Sequence, residues 1–117
     1  MTEIDIPFSR EMVIAAIEGR KIATTRSEPK GKVGDVFQIE NPNFDEDNII
    51  DRMWSYPRAT FCLIDIFSVD LTVVKQQYYR LEGFDSPEAF EKTWRALHRG
   101  HFTVNKPYYI HFFGRVI

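Results

Sequence analysis

The sequence predicts an α+β fold: a small mixed or antiparallel β-barrel with about three helices packed on its outside. Three observations carry that expectation. The run Arg58–Val69 is the strongest strand signal in the chain, with Cys62, Ile64 and Ile66 on one face and Phe61, Leu63 and Phe67 on the other. Apolar residues on both faces suit a barrel wall overlaid by helices. The elements read strand, helix, several strands, two helices, strand, with no linker or repeat dividing them, which fits antiparallel pairing in a small barrel. The 117 residues, 44% hydrophobic and 15% aromatic, can bury a real core and suit one domain spanning 1–117.

Taken in order, Ile4-Asp5-Ile6 alternates and predicts a short first strand closed by Pro7. Ser9 is placed to cap a helix over 10–18, with Glu11 in its first turn and Val13, Ile14 and Ile17 as a core-facing stripe. Gly19 is the expected stop, because a left-handed residue there lets the chain turn away. The chain then runs extended through Lys21–Arg26. Strict alternation sets Lys21, Ala23 and Thr25 on one face and Ile22, Thr24 and Arg26 on the other, so joint action of Lys21 and Thr24 requires a bend or bulge. Val36–Glu40 is a strand after a Gly34-Asp35 turn. Asn41–Trp54 reads as a polar, acidic excursion at the rim without clear periodicity, a candidate lid. Leu71–Val74 continues the strand or doubles back, and Lys75–Glu82 predicts a short helix ending at Gly83. Ser86-Pro87-Glu88 starts another helix, with Phe90, Trp94 and Leu97 facing the core and Gly100 ending it. Tyr108–Val116 closes the chain as an aromatic strand.

A net charge of −2 and a pI near 5.9 give no global basic field, so a nucleic-acid partner would need a local patch. Residues 10–32 hold Arg10, Arg20, Lys21, Arg26, Lys30 and Lys32 against Glu11, Glu18 and Glu28, while acid collects in Asp45, Glu46, Asp47 and Asp51. The single Cys62 excludes an internal disulfide and a cysteine-based zinc site. His98 and His101, at a helix end without nearby acid or Cys, make poor metal ligands, so neither a metal nor a cofactor is expected. Met1–Ser9 lacks the features of a signal peptide, and no segment approaches the roughly 20 apolar residues that span a bilayer. The expected compartment is the cytoplasm, with no membrane partner.

Chemistry concentrates in Gly19-Arg20-Lys21-Ile22-Ala23-Thr24-Thr25-Arg26. Cations and hydroxyls this close, just after a helix, suit holding an anion or attacking a carbonyl. The same residues also fit a plain strand, with Lys21 and Arg26 as solvated charges and Thr24 as an ordinary β-branched residue. Trp54 and Tyr56, following the acidic excursion, are placed either to stack on a base or to anchor that loop.

Gly19-x-Lys21-x-x-Thr24-x-Arg26 after a helix, Val33-Gly34-Asp35-Val36 opening a strand, Glu82-Gly83-Phe84 before a helix with Trp94 and Leu97, and the last aromatic strand together resemble the ASCH domain family. That family is related to the PUA-like RNA-binding barrels. Within it, the Arg20-Lys21-x-x-Thr24 pattern, the Phe61-Cys62 strand and the acidic Glu82 are similar to the short bacterial N4-acetylcytidine amidohydrolases. The resemblance implies a barrel with a cleft whose floor includes the Lys/Thr/Arg stretch. It implies Lys21 as base, Thr24 as nucleophile or orienter of a water, and Glu82 as acid toward the leaving nitrogen. Arg20, Arg26, Trp54 and Tyr56 are the expected substrate-binding residues. The Asn41–Trp54 insert and the bulky Trp94–His101 segment depart from the pattern. The implied partner is a small nucleoside, or alternatively RNA, bound or cut in the same cationic cleft; the net acidic charge favours the small substrate.

Overall fold

A computed structural model describes residues 2–54 and 57–116, without the side chain of Trp54. Four strands, β1 (Ala23–Arg26), β2 (Val36–Glu40), β3 (Arg58–Val69) and β4 (Tyr108–Arg115), pair antiparallel in the order β1-β4-β3-β2. The expected barrel is thus a curled half-barrel with β1 and β2 at its edges. The helices are α1 (Arg10–Ile17), α2 (Ile49–Trp54), α3 (Leu71–Val73), which runs on into a π-helical turn (Val74–Tyr78), and α4 (Pro87–Leu97).

The local signals explain most of these boundaries. Ser9 Oγ accepts the Met12 N–H at 3.4 Å to start α1, and Gly19 leaves the helix at φ +81°. Small Ala15 and Ala16 are its deepest residues, whereas the expected stripe of Val13, Ile14 and Ile17 is half-buried. Ser86 Oγ caps α4 through the Ala89 N–H at 3.1 Å, ahead of Pro87 in the first turn. Asp70 caps α3 through the Thr72 N–H at 2.7 Å, so the chain doubles back at residue 70 and the helix begins before Lys75.

Four expectations are corrected. The segment at Ile4–Ile6 is no strand: one parallel bridge, Glu3 to Val36, joins it to β2, through Ile4 N–H to Val36 O and Val36 N–H to Thr2 O. The two-faced burial expected for β3 ends at a bulge between Leu63 and Asp65. The extra residue shifts the alternation, so Ile64 is 59% and Phe67 37% exposed, while Ile66 packs inward with Leu63. Leu97, the last residue of α4, is 66% exposed rather than core-facing. Within the polar insert, Asn48 Oδ1 accepts the Ile50 and Asp51 N–H groups and starts the short α2, whose Ile49, Ile50 and Met53 side chains are exposed.

Two apolar clusters flank the sheet. One gathers Ile6, Ala16, Phe37, Ile39, Phe61, Leu63 and Phe113, with Phe37 stacked on Phe61 at 5.5 Å and edge-on to Phe113 at 5.3 Å. The other gathers Leu71, Val74, Phe90, Trp94 and Tyr108 under α3 and α4. The N-terminal segment and α1 belong to the first, α4 to the second, and β1 lies on the floor between them.

Gly83, at the stop after the π-helical turn, has φ +99°, and a Cβ there would sit 3.2 Å from Lys21 Cβ and 3.4 Å from Ala15 Cβ. Gly19 has φ +81° with nothing within 4 Å of such a Cβ. Chemical denaturation is expected to show Gly19→Ala costing about 1 kcal/mol for the left-handed backbone alone, and Gly83→Ala about 2–3 kcal/mol because crowding adds to it. Equal losses would mean that the Lys21 contact yields freely.

Candidate functional site

The site is assembled where the chain enters β1. The Ile22 and Ala23 N–H groups both donate to Leu81 O, at 2.8 and 3.0 Å. Successive amides of a regular strand point to opposite sides, so this shared acceptor marks a bend at Ile22–Ala23. From Ala23 onward the ladder with β4 is regular, pairing Thr24 with His111 and Thr25 with Ile110. The bend therefore lies between Lys21 and the strand proper, and it brings Lys21 against the Leu81–Gly83 segment.

There Lys21 Nζ donates to Ala23 O at 2.8 Å, Glu82 O at 3.0 Å and Glu82 Oε1 at 3.3 Å. The other carboxylate oxygen, Glu82 Oε2, accepts the Thr25 hydroxyl at 2.7 Å. Lys21 and Glu82 are 3% and 4% exposed, so this is a buried ion pair joining residues 61 apart in sequence. Burial lowers the Lys21 pKa below the usual lysine range, Glu82 opposes that shift, and the Arg26 charge adds to it.

This floor lies beneath a cleft of about 370 Å³, a size within the range of small-molecule sites. One wall is Asp5, Pro7, Phe8, Ser9 and Met12; the other is Phe90, Thr93, Trp94, Leu97 and His98 from α4. Lys21, Thr24, Thr25, Arg26, Ser27, Lys30, Glu82 and Phe84 complete the lining. Arg26 Nη2 donates to Pro7 O at 2.7 Å, and its guanidinium lies 5.4 Å from the Phe8 ring centre. Its Nε is buried without a hydrogen-bond partner among the described residues. Burial lowers its pKa, but an arginine keeps its charge. On the second wall the Trp94 and His98 rings stack at 4.1 Å and 11°.

Lys21, Thr24, Glu82 and Arg26 thus border one cleft. Arg20 does not line it; it is exposed and pairs with Glu18 at 2.6 Å. Tyr56 and the Trp54 side chain lie outside the described residues, and no residue of 41–53 is among those lining the cleft, so nothing places the insert over it as a lid. Sequence reasoning missed Thr25, although the alternation already set it on the face of Lys21. It also missed Phe8 and Lys30, for which only their closeness to Ser9 and to the basic run was a signal. Among the described residues no group of three His, Cys, Asp or Glu could hold a metal, and no helix is long and apolar enough to cross a membrane.

His111 supports the floor from behind. It is fully buried; its Nε2 accepts the Lys30 N–H at 2.9 Å, which leaves the proton of a neutral ring on Nδ1, donated to Thr24 O at 3.2 Å. One imidazole thus pins the cleft-lining loop at Lys30 to β1. Burial lowers its pKa from the ordinary 6.5, against the raising effect of its Thr24 and Tyr109 hydrogen bonds and with the help of the Arg26 and Lys30 charges. A lowered folded pKa means the unfolded chain binds the proton more readily. The stability it contributes is full above about pH 6.5 and is lost as pH falls through the folded value. Melting curves from pH 7.5 to 5 are expected to show the advantage of wild type over His111→Gln narrowing on acidification. Parallel curves would show that the ring does not titrate in this way.

The sequence matches no family model and no curated protein. Solved structures do match. A mutant of the protein ZmASCH from Zymomonas mobilis superimposes with TM-score 0.62 at 16% identity, covering 99% of this chain and 76% of that one. The ASCH domain from Lactobacillus crispatus JV V101 gives 0.63 at 13% identity, over 97% and 79% of the two chains. A protein from Enterococcus faecalis V583 matched to the DUF984 family model gives 0.60 at 17% identity, over 98% and 78%. At these identities the likeness speaks for architecture, and the architecture is that of an ASCH domain.

Proposed function

We propose that the cleft hydrolyses the acyl amide on the exocyclic nitrogen of an acylated cytidine, N4-acetylcytidine being the substrate that the sequence resemblance implies. The observation that carries the reading is the buried Lys21–Glu82 pair beside two threonines at the base of a cleft of about 370 Å³. Amide hydrolysis needs a nucleophile, a group to take its proton and a group to protonate the departing nitrogen. A floor threonine, or a water held there, supplies the first. Thr24 is the one that the resemblance implies. The buried pair handles the proton: Lys21 is the base that the resemblance implies, burial favouring its neutral form, and the carboxylate beside it can accept and return a proton. Arg26 adds positive charge for the oxyanion, and Phe8 and the α4 aromatics give the base an apolar berth.

Purified protein incubated with N4-acetylcytidine is expected to release cytidine, and Lys21→Ala and Glu82→Gln to lose roughly 10²–10⁴-fold in rate. Between about 50 and 200 mM salt the turnover of this neutral nucleoside should hardly change, whereas an RNA-binding or RNA-cleaving cleft would weaken steeply over that range. Absence of turnover, or turnover indifferent to both substitutions, would sink the reading.

A further inference from the structure

We propose that Thr25, rather than its neighbour Thr24, is the hydroxyl that attacks the acyl carbon, with Glu82 as its base; this rests on the amide-hydrolysis reading. The Thr25 Oγ1 to Glu82 Oε2 distance of 2.7 Å is that of a short, charge-assisted bond from a hydroxyl to a carboxylate. The second carboxylate oxygen is tied to Lys21 Nζ at 3.3 Å, and Lys21 is itself anchored on Ala23 O and Glu82 O at 2.8 and 3.0 Å. A nucleophile bonded to a base that a third group orients is the recurring pattern of activated hydroxyls. With Nζ donating to three acceptors, Lys21 has its ammonium protons committed, so it holds Glu82 and leaves the proton transfer to the carboxylate.

Thr24 lacks that place. Beyond the bend at Ile22–Ala23 the ladder is regular, so Thr24 and Thr25 project to opposite faces. Both border the cleft, yet the hydroxyl bonded to Glu82 is that of Thr25, on the carboxylate oxygen that Lys21 leaves to it. Arg26, next in the chain and lining the same cleft, brings positive charge toward the tetrahedral oxyanion.

The steps balance. Thr25 Oγ1 bonds to the acyl carbon as its proton passes to Glu82 Oε2. The carbon–N4 bond then breaks while Glu82 gives that proton to N4, releasing cytidine and leaving an acyl ester on Thr25. Water attacks the ester carbon, its proton going to Glu82, and the ester oxygen leaves as Glu82 reprotonates Thr25. One water is consumed, and one amine and one carboxylic acid are formed.

The test compares Thr25→Val, Thr25→Ser and Thr24→Val in the full chain, with N4-acetylcytidine and separately with p-nitrophenyl acetate, followed by acid quench and peptide mass mapping. Thr25→Val is expected to lose roughly a thousandfold in kcat/KM, at least tenfold more than Thr24→Val. Thr25→Ser should keep measurable turnover and carry the acyl group at position 25, a readout that a threonine merely propping Glu82 would not give. Thr25→Ser also keeps the proposal open to refutation if the valine variant fails to fold. Acylation of Thr24, acyl-free protein at every quench time, or equal losses for the two valine variants overturns it. If wild type releases no cytidine, the amide-hydrolysis reading fails and the activated ester decides: acylation at Thr25 upholds the assignment, and acylation at Thr24 or nowhere ends it.

Discussion

The rest of the structure hangs on one buried contact, the ion pair between Lys21 and Glu82. Such a pair is a poor source of net stability, since removing two charges from water costs about as much as their attraction returns. Its value is in what it specifies. Removing one partner strands the other in the interior, a loss of about 3–5 kcal/mol, so the two segments that carry them can pack in few other ways. Around it, Leu81 O takes two amides from the entrance of β1, Phe84 N–H closes its turn on Tyr79 O, and Gly83 lies where a side chain would crowd Lys21. A helix stop and a strand start 61 residues apart are thereby locked together, and the cleft floor comes with them.

The cleft is a consequence of the core's division. Phe8 packs against the cluster of Phe37, Phe61 and Phe113, whereas Phe90 and Trp94 belong to the cluster under α3 and α4. Two apolar bodies meeting over a short edge strand leave a groove with aromatic walls and a polar floor. The four-residue β1 carries that floor, and its regular pairing with β4 holds Thr24, Thr25 and Arg26 in register. The cations follow the same logic. Arg26 is fixed by Pro7 O and the Phe8 ring, and Lys30 is held by its backbone on His111. Lys21, Arg26 and Lys30 thus give one concavity a local positive character in a protein of net charge −2.

How much of this was legible depends on how local the determinant is. Ser9, Gly19, Ser86 and Pro87 act on their own neighbours, and each marks an element end that the structure has, whereas the helical run expected to reach Gly83 ends at Tyr78 and passes into turns. The bulge at Ile64 was hidden, because an added residue in one strand answers to its partner, and period-two counting then assigns Ile64 and Phe67 to the wrong surroundings. Leu97 follows helical spacing but falls on the last residue of α4, past the end of the core. The short α2 comes from the Asn48 cap within a polar stretch whose apolar residues stay exposed, so no periodicity announced it. Arg20 sits beside Lys21 in sequence, yet the turn after Gly19 sends it to solvent.

Lys21 and Glu82 are the instructive case. Composition and spacing could not pair residues 61 apart, and only the resemblance to a known domain set them in one cleft. Alternation, a purely physical rule, already grouped Lys21 with Thr25 and separated both from Thr24. The structure adds the bend at Ile22–Ala23, which lies on the Lys21 side and leaves the two threonines on a regular ladder. Motif spacing and strand geometry therefore select adjacent hydroxyls. A motif names positions along a chain, whereas a proton moves through space, along the 2.7 Å line between Thr25 and Glu82. Where the two disagree by one residue, the hydrogen bond is the better guide to the chemistry.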